Sequence, residues 1–185
     1  CALPIYATPQ GRACLRDAEP SDALRISLHH SAVTPPPIAR MEQVDSDAWD
    51  RAVRGGWAPR SSVTPLLRLV DGATFIVDGE AATIDGWLQI GIARQAGGEH
   101  PHALRISLLP GIDPAPIIIA GLREIATRAT RAGTAANATI EVVRSYEAGL
   151  GGALESVGFA QIGELHLLVR EVRARATNPR LIPAV

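Results

Sequence analysis

The sequence predicts a mixed α/β domain, a central sheet with helices on both faces. Three observations predict it. Thr74–Val77 and Trp87–Ala93 are strand-forming runs on either side of a short acidic-Gly turn, Asp78-Gly79-Glu80. Ile117–Ala132 carries Ile118, Leu122, Ile125 and Ala129 at helical spacing, directly after a strand-like run, His102–Leu109. Ala138–Val172 then reads as a strand, a short helix and two further strands. A chain of 185 residues is long enough to enclose one core of this kind.

The N-terminal third is the least periodic part. Residues 1–65 form a poorly assigned segment, 66–175 the domain and 176–185 a tail. The opening peptide Cys1-Ala2-Leu3-Pro4-Ile5 matches one translation of the end of a common sequencing adapter and is expected to be foreign to the gene. Pro35-Pro36-Pro37 is expected to break any regular element, and Trp57–Ser62 reads as a loop. Between them, Ser46–Val53 predicts a short helix capped by Asp45 or Ser46, with Trp49 and Val53 on one face. The hexapeptide Ala-Leu-Arg-Ile-Ser-Leu occurs twice, at 23–28 and 103–108. Its flanks match only at scattered positions, which points to chance or a shared strand preference rather than duplication.

From Leu66 onward the elements follow closely. Thr83-Ile84 and Trp87–Ala93 continue as strand with an interruption at Asp85-Gly86, and Arg94–Pro101 is a Gly-containing loop. His102–Leu109 is the next strand and Pro110–Pro116 a tight loop. The Ile117–Ala132 helix sets Arg123, Glu124, Arg128 and Arg131 towards solvent, pairs Glu124 with Arg128, and stops at Gly133. Ile140, Val142 and Val143 form the strand Ala138–Val143. Tyr146, Leu150, Ala153, Leu154 and Val157 share a helix face that ends at Gly158, where a left-handed residue is wanted. Phe159, Ile162, Leu165, Leu167 and Val169 return to strand-like alternation.

Strand, acidic-Gly turn, strand, strand, long helix, strand, short helix, Gly158-Phe159 and closing strands resemble the GNAT (Gcn5-related N-acetyltransferase) superfamily over roughly the last 110 residues. The resemblance implies a sheet splayed between His102–Leu109 and Ala138–Val143, with an acyl-CoA in the splay and an amine as acceptor. Ile106, Ser107, Leu108 and Leu109 would align the pantetheine, and Gly111 with the helix start at Ile117 would hold phosphate through backbone N–H groups. The family pattern in that loop is Arg or Gln, two residues, Gly, one residue, then Gly or Ala, often after a hydrophobic-Pro step. Leu109-Pro110 fits the step, but Gly111-Ile112-Asp113-Pro114-Ala115-Pro116-Ile117-Ile118 departs from the rest. Asp113 stands at the basic or amide position and Pro114 and Pro116 replace glycines. An aspartate about 4 Å from a phosphate charge costs about 4 kcal/mol at an effective dielectric of 20, and each proline deletes a donor.

The candidate acid and base follow the same resemblance. Many members carry a Leu-Tyr-Glu-x-x-Gly-Phe run whose tyrosine protonates the leaving thiolate. Here the run is Ala153-Leu154-Glu155-Ser156-Val157-Gly158-Phe159, so leucine stands in place of tyrosine and Tyr146, two turns earlier, is the nearby phenol. Tyr146 is then either the acid or a packing residue at a helix start. Glu141 and His102, with Glu99 and His100, are the candidate bases; each has a structural reading as well, Glu141 as an edge carboxylate and His100-Pro101-His102 as a solvated loop. His29-His30 on a strand would point to opposite sides and receives no role. Gly149, Gly151 and Gly152 mark either close approach to a ligand or another backbone, or a frayed helix.

Composition excludes several other classes. An apolar fraction of 46% with net charge −1 does not describe an avid nucleic-acid or membrane binder. Every basic residue is arginine, as high-GC bacterial coding favours. Cys1 and Cys14 provide neither a disulfide framework nor a zinc spacing. No run approaches the roughly 20 apolar residues of a membrane helix, so a cytoplasmic location is expected. No Ser-His-Asp order, dinucleotide fingerprint or P-loop is present. Two functions remain: N-acyl transfer from acyl-CoA to an unknown small-molecule or peptide amine, or a catalytically silent module with the same fold.

Overall fold

The computed structural model describes residues 6–7, 14–42, 44–57, 67–80, 83–96 and 100–166. Its elements are β1 (Tyr6–Ala7), β2 (Cys14–Asp17), α1 (Asp22–Val33), α2 (Pro36–Glu42), α3 (Ser46–Val53), β3 (Leu69–Asp78), β4 (Ile84–Ala93), β5 (His102–Leu108), α4 (Ala115–Ala132), β6 (Thr139–Ile140) and α5 (Ala148–Ser156). The strands form one sheet in sequence order. Neighbours are antiparallel up to β5, and β5 and β6 run parallel. The sheet is mixed, open and covered on both faces, as the sequence predicts.

One face packs against α4 and α5 through Phe75, Val77, Leu88, Ile90, Leu104, Ile106, Ile118, Ile125, Leu150 and Leu154. The other packs Ile76, Ile84 and Trp87 against Ala23, Ile26, Ala48, Trp49 and Ala52 of α1 and α3. Alternation along β5 therefore sends Leu104 and Ile106 to the α4 face and Arg105 and Ser107 to the α1 face. Trp49 and Trp87 meet edge-on at 5.9 Å between centroids. Asp45 caps α3 by accepting from the Ala48 N–H at 2.6 Å, and Trp49 and the partly buried Val53 sit on its core side.

Both helix stops occur as predicted. Gly133 is left-handed at φ 72° and Thr134 N–H reaches back to Ala129 C=O at 2.9 Å. Gly158, at φ 99°, ends α5, with Phe159 N–H on Leu154 C=O at 3.0 Å and Gly158 N–H on Glu155 C=O at 3.0 Å. That pair of bonds satisfies carbonyls the last turn leaves open. Phe159 packs at the margin of the α4-side core.

Several expectations are corrected. The N-terminal segment holds three helices, and β2 joins the sheet against β3. The proline triplet separates two helices: α1 ends at Val33, and Pro36 opens α2, where a proline's missing N–H costs nothing. α4 begins at Ala115, two residues before Ile117, and the strand Ala138–Val143 shrinks to Thr139–Ile140. Residues 159–166 pair with no strand among the described residues, and Ile162 and Leu165 are exposed; Leu167 and Val169 lie outside the described residues. The first Ala-Leu-Arg-Ile-Ser-Leu is helix and the second is strand.

A buried ion network fastens α1 to the sheet. Asp22 accepts Arg16 at 2.7 and 2.8 Å and Arg25 at 2.8 Å, and Arg16 also reaches Asp78 at 2.8 Å. Burial works against the Asp22 charge, but the Arg16 guanidinium outweighs it and holds the carboxyl down at about 2.

The α5 glycines have a different status. A Cβ at Gly151 or Gly152 would meet nothing within 4 Å among the described residues, and neither has positive φ. Gly151→Ala and Gly152→Ala should each stabilise the protein by about 0.5–1 kcal/mol in chemical denaturation, since alanine loses less backbone entropy in a helix. Destabilisation by either would show that another backbone approaches this face.

Candidate functional site

The site is built around the point where β5 and β6 part. Their pairing covers only His102↔Thr139 and Ala103↔Ile140. His102 N–H donates to Ala138 C=O at 2.8 Å, so alternation sends the N–H groups of Leu104, Ile106 and Leu108 to the same edge of β5. The opposite edge of β5 is paired with β4 from Ala103 to Leu108. Past Ile140 the chain turns away, and the Glu141 carboxyl approaches the Ile106 backbone across the widening gap. Its Oε2 is buried with no hydrogen-bond partner among the described residues. Burial pushes the Glu141 carboxyl well above the usual carboxylate range, against the pull of the Arg105 charge.

Around Glu141 lies a cluster joining α1 and α2 to the segment after β6. Arg144 contacts Glu42 at 3.1 Å and Glu147 at 3.7 Å, and the Arg144 N–H donates to Glu147 at 2.9 Å. His30 Nε2 lies 3.4 Å from Glu42, and its Nδ1 lies 3.1 Å from Thr34 Oγ1. The Tyr146 hydroxyl lies near Thr34, and the Arg144 guanidinium sits 6.0 Å from its ring centroid. Arg105 is buried, 5.3 Å from the Trp87 ring centroid. Burial and then the Arg144 charge press its guanidinium down to about 10, opposed by Glu141, Glu147 and Glu42. Burial also raises Tyr146 and Glu147. Glu42 is lowered, because the His30 bond and the Arg144 charge outweigh its burial.

Glu141 and Tyr146 thus reach one cluster with Arg105, Arg144, Glu147, Glu42, His30 and Thr34, six residues that sequence reasoning missed. Arg105, a charge inside an apolar strand, was the available signal. His102 stands elsewhere, at the vertex of the splay. Its Nδ1 accepts from Ala93 N–H at 3.1 Å and its Nε2 donates to Thr134 C=O at 2.9 Å, so both ring nitrogens are engaged inside the protein. His100 gives its carbonyl to Asn137 at 2.9 Å, and Glu99 lies outside the described residues. His29 and His30 are both buried on α1, which corrects their reading as opposed strand residues.

The proposed cofactor residues divide as well. Ile106 and Leu108 present backbone to the splay. Ser107 turns its hydroxyl towards His29, 3.2 Å away. Leu109 N–H is engaged by Asp85 C=O at 2.7 Å, and the Ile117 side chain is in the core. Gly111 makes the turn with φ 92° and open space around it. Asp113 accepts the Ala115 N–H at 3.0 Å, and Ile118 N–H closes on Pro114 C=O at 2.9 Å. Pro114 and Pro116 have no N–H to offer. Of the α4 start, the Ile117 N–H is left, beside an exposed carboxylate that occupies the helix's own anion position. Solvent screens Asp113 and lowers its cost below the 4 kcal/mol scale, but the donors are still lost. The loop does not fit a pyrophosphate.

No family model matches the chain, and no curated protein matches it in sequence. Solved structures do. The aminoglycoside N-acetyltransferase AAC(6')-Iy in complex with CoA superposes with TM-score 0.54 at 12% identity, over 90% of this chain and 100% of that one. The chain has the GNAT fold. The same acetyltransferase with a CoA-S-monomethyl-acetylneamine bisubstrate analogue gives TM-score 0.50 at 11% identity, over 86% and 99%. The BH1408 protein of Bacillus halodurans gives 0.53 at 9%, over 84% and 99%. Against the GNAT pattern of the short-helix run, Leu154 holds the tyrosine's place and is buried in the α4-side core. No helix among the described residues is long and apolar enough to cross a membrane.

His29 gives the site's surroundings a pH signature. Burial, with the His30 charge adding, lowers its ring to about 4. The folded state keeps the ring neutral while the unfolded chain takes a proton below about 6.5. Stability should therefore fall as pH drops from about 6.5 towards about 4, by up to roughly 3 kcal/mol. His29→Gln should flatten denaturation midpoints between pH 6.5 and 4.5; an unchanged slope would assign the loss to other groups.

Proposed function

We propose that this protein transfers an acyl group from a thioester to an amine, with Glu141 as the proton acceptor. The observation that carries the reading is the Glu141 carboxyl: it stands at the open end of the β5–β6 ladder with one buried oxygen free of partners among the described residues. A carboxylate whose affinity for protons is raised by burial is suited to take one from an ammonium near neutral pH. The amine nitrogen then attacks the thioester carbonyl, the C–N bond forms and the C–S bond breaks. Tyr146 gives the departing thiolate its proton and takes up the second proton of the attacking nitrogen, leaving an amide, a free thiol and a protonated Glu141. The acceptor is a small-molecule or peptide amine; the solved neighbour AAC(6')-Iy, by its bisubstrate analogue, handles an aminoglycoside amine. His102 has no part in the proton transfers, because both its nitrogens are committed.

A second reading, a catalytically silent module, is favoured by two observations. The Asp113 carboxylate accepts the Ala115 N–H at the start of α4, and Glu141 approaches the Ile106 backbone.

Acylation of an amine panel separates the two. Glu141→Gln and Tyr146→Phe should each reduce the rate at least tenfold, the lower end of a typical proton-transfer contribution of about 10²–10⁴, with thermal stability unchanged. Because the base must be ionised, activity should fall as pH drops through the raised Glu141 value, and Glu141→Gln should lose that limb. Full activity in both variants would reject the residue assignment. A folded protein that acylates none of the panel would favour the silent module.

A further inference from the structure

We propose that the thioester donor is a pantetheine thioester without the adenosine diphosphate end of coenzyme A. This rests on the acyl-transfer reading and adds the class of donor. The two ends of the site have diverged. At the splay, the β5 edge at Leu108, past the Ile106 backbone that Glu141 approaches, meets no strand among the described residues, which suits an extended amide-containing arm that pairs with backbone as a strand does. At the loop, the means of holding a pyrophosphate are reduced. Pro114 and Pro116 lack donors, Ala115 N–H is bound by Asp113, and Ile118 N–H by Pro114 C=O. The Asp113 carboxylate adds a charge of the wrong sign at the helix start. Gly111 keeps its turn with open space beside it, so the arm can leave the splay there without being gripped by phosphates.

In a site with a working cradle, each charge-assisted bond to phosphate favours coenzyme A over pantetheine by about tenfold or more. Here that advantage should vanish. Calorimetry with pantetheine and with coenzyme A on the intact protein should give dissociation constants within about threefold of each other. Asp113→Asn, which preserves the cap, and Pro116→Gly should tighten coenzyme A while leaving pantetheine unchanged. The arm could be free or borne by a carrier protein, and phosphopantetheine attached to an acyl carrier protein is the third probe. Tighter binding than free pantetheine identifies a carrier-borne donor and equal binding a free one, and the inference stands either way. Coenzyme A binding more than tenfold tighter than pantetheine in the unmodified protein would overturn the donor class and leave acyl transfer intact. Equal tightening of both ligands in the variants would also overturn it, since the loop would then act on the fold and not on phosphate. Absence of binding by any probe at millimolar concentration would remove this inference and the acyl-transfer reading together.

Discussion

Everything in the site depends on how β5 and β6 are joined at one end and kept apart at the other, and His102 does the joining. Its backbone N–H bonds Ala138, its Nδ1 takes the Ala93 N–H from β4, and its Nε2 donates to Thr134 after the left-handed stop of α4. One buried side chain thus fixes β4, β5, the end of α4 and the entry to β6. A backbone N–H can only donate and a carbonyl only accept, so the ring must carry its hydrogen on Nε2. The same bonds that make His102 a pin leave it no lone pair for chemistry.

The parting of the strands is held by charge. Arg144 ties Glu147 on its own segment to Glu42 on α2, and Tyr146 meets Thr34 beyond the end of α1. Buried ion pairs contribute little net stability compared with apolar packing, yet losing one partner strands a charge at a cost of about 3–5 kcal/mol. Such a cluster defines one arrangement of the chain after β6 more than it strengthens the fold. The N-terminal helices are therefore part of the site: without Glu42, His30 and Thr34 the segment carrying Glu141 and Tyr146 would lack its opposing wall.

The sequence made β3 to β5 and α3 to α5 legible because their buried faces are apolar and periodic. α1 escaped because the face it buries includes Asp22, His29 and His30 beside Ala23 and Ile26, while Leu24 and Leu28 are exposed. Hydrophobic periodicity cannot register a stripe whose polar members meet Arg16 and Ser107 on other elements and Thr34 at the helix's own end. The repeated hexapeptide makes the point directly. Residues 23–28 follow Pro20-Ser21-Asp22, a helix-starting context, and residues 103–108 are flanked by β4 and stopped by Pro110. Tertiary surroundings override a weak local preference. Glu141 was legible as a candidate, but most of its surroundings were not, since Arg105, Glu42, Thr34 and His30 lie far away in sequence on elements whose approach only the fold defines.

The loop after β5 shows two demands competing for the same atoms. The first turn of α4 leaves N–H groups that must be satisfied, by a ligand or from within. A GNAT-type phosphate site satisfies them with a ligand, and its helix start is then incomplete until that ligand arrives. This chain leaves fewer of them, with two prolines that need no partner and an aspartate that accepts from Ala115. Each substitution makes the helix start more self-sufficient and removes affinity for an anion by the same bond. The loop can therefore be read as a helix cap gained at the expense of phosphate binding. The splay, whose open backbone no such substitution has closed, still offers the Leu108 edge, and the Ile106 position that Glu141 approaches.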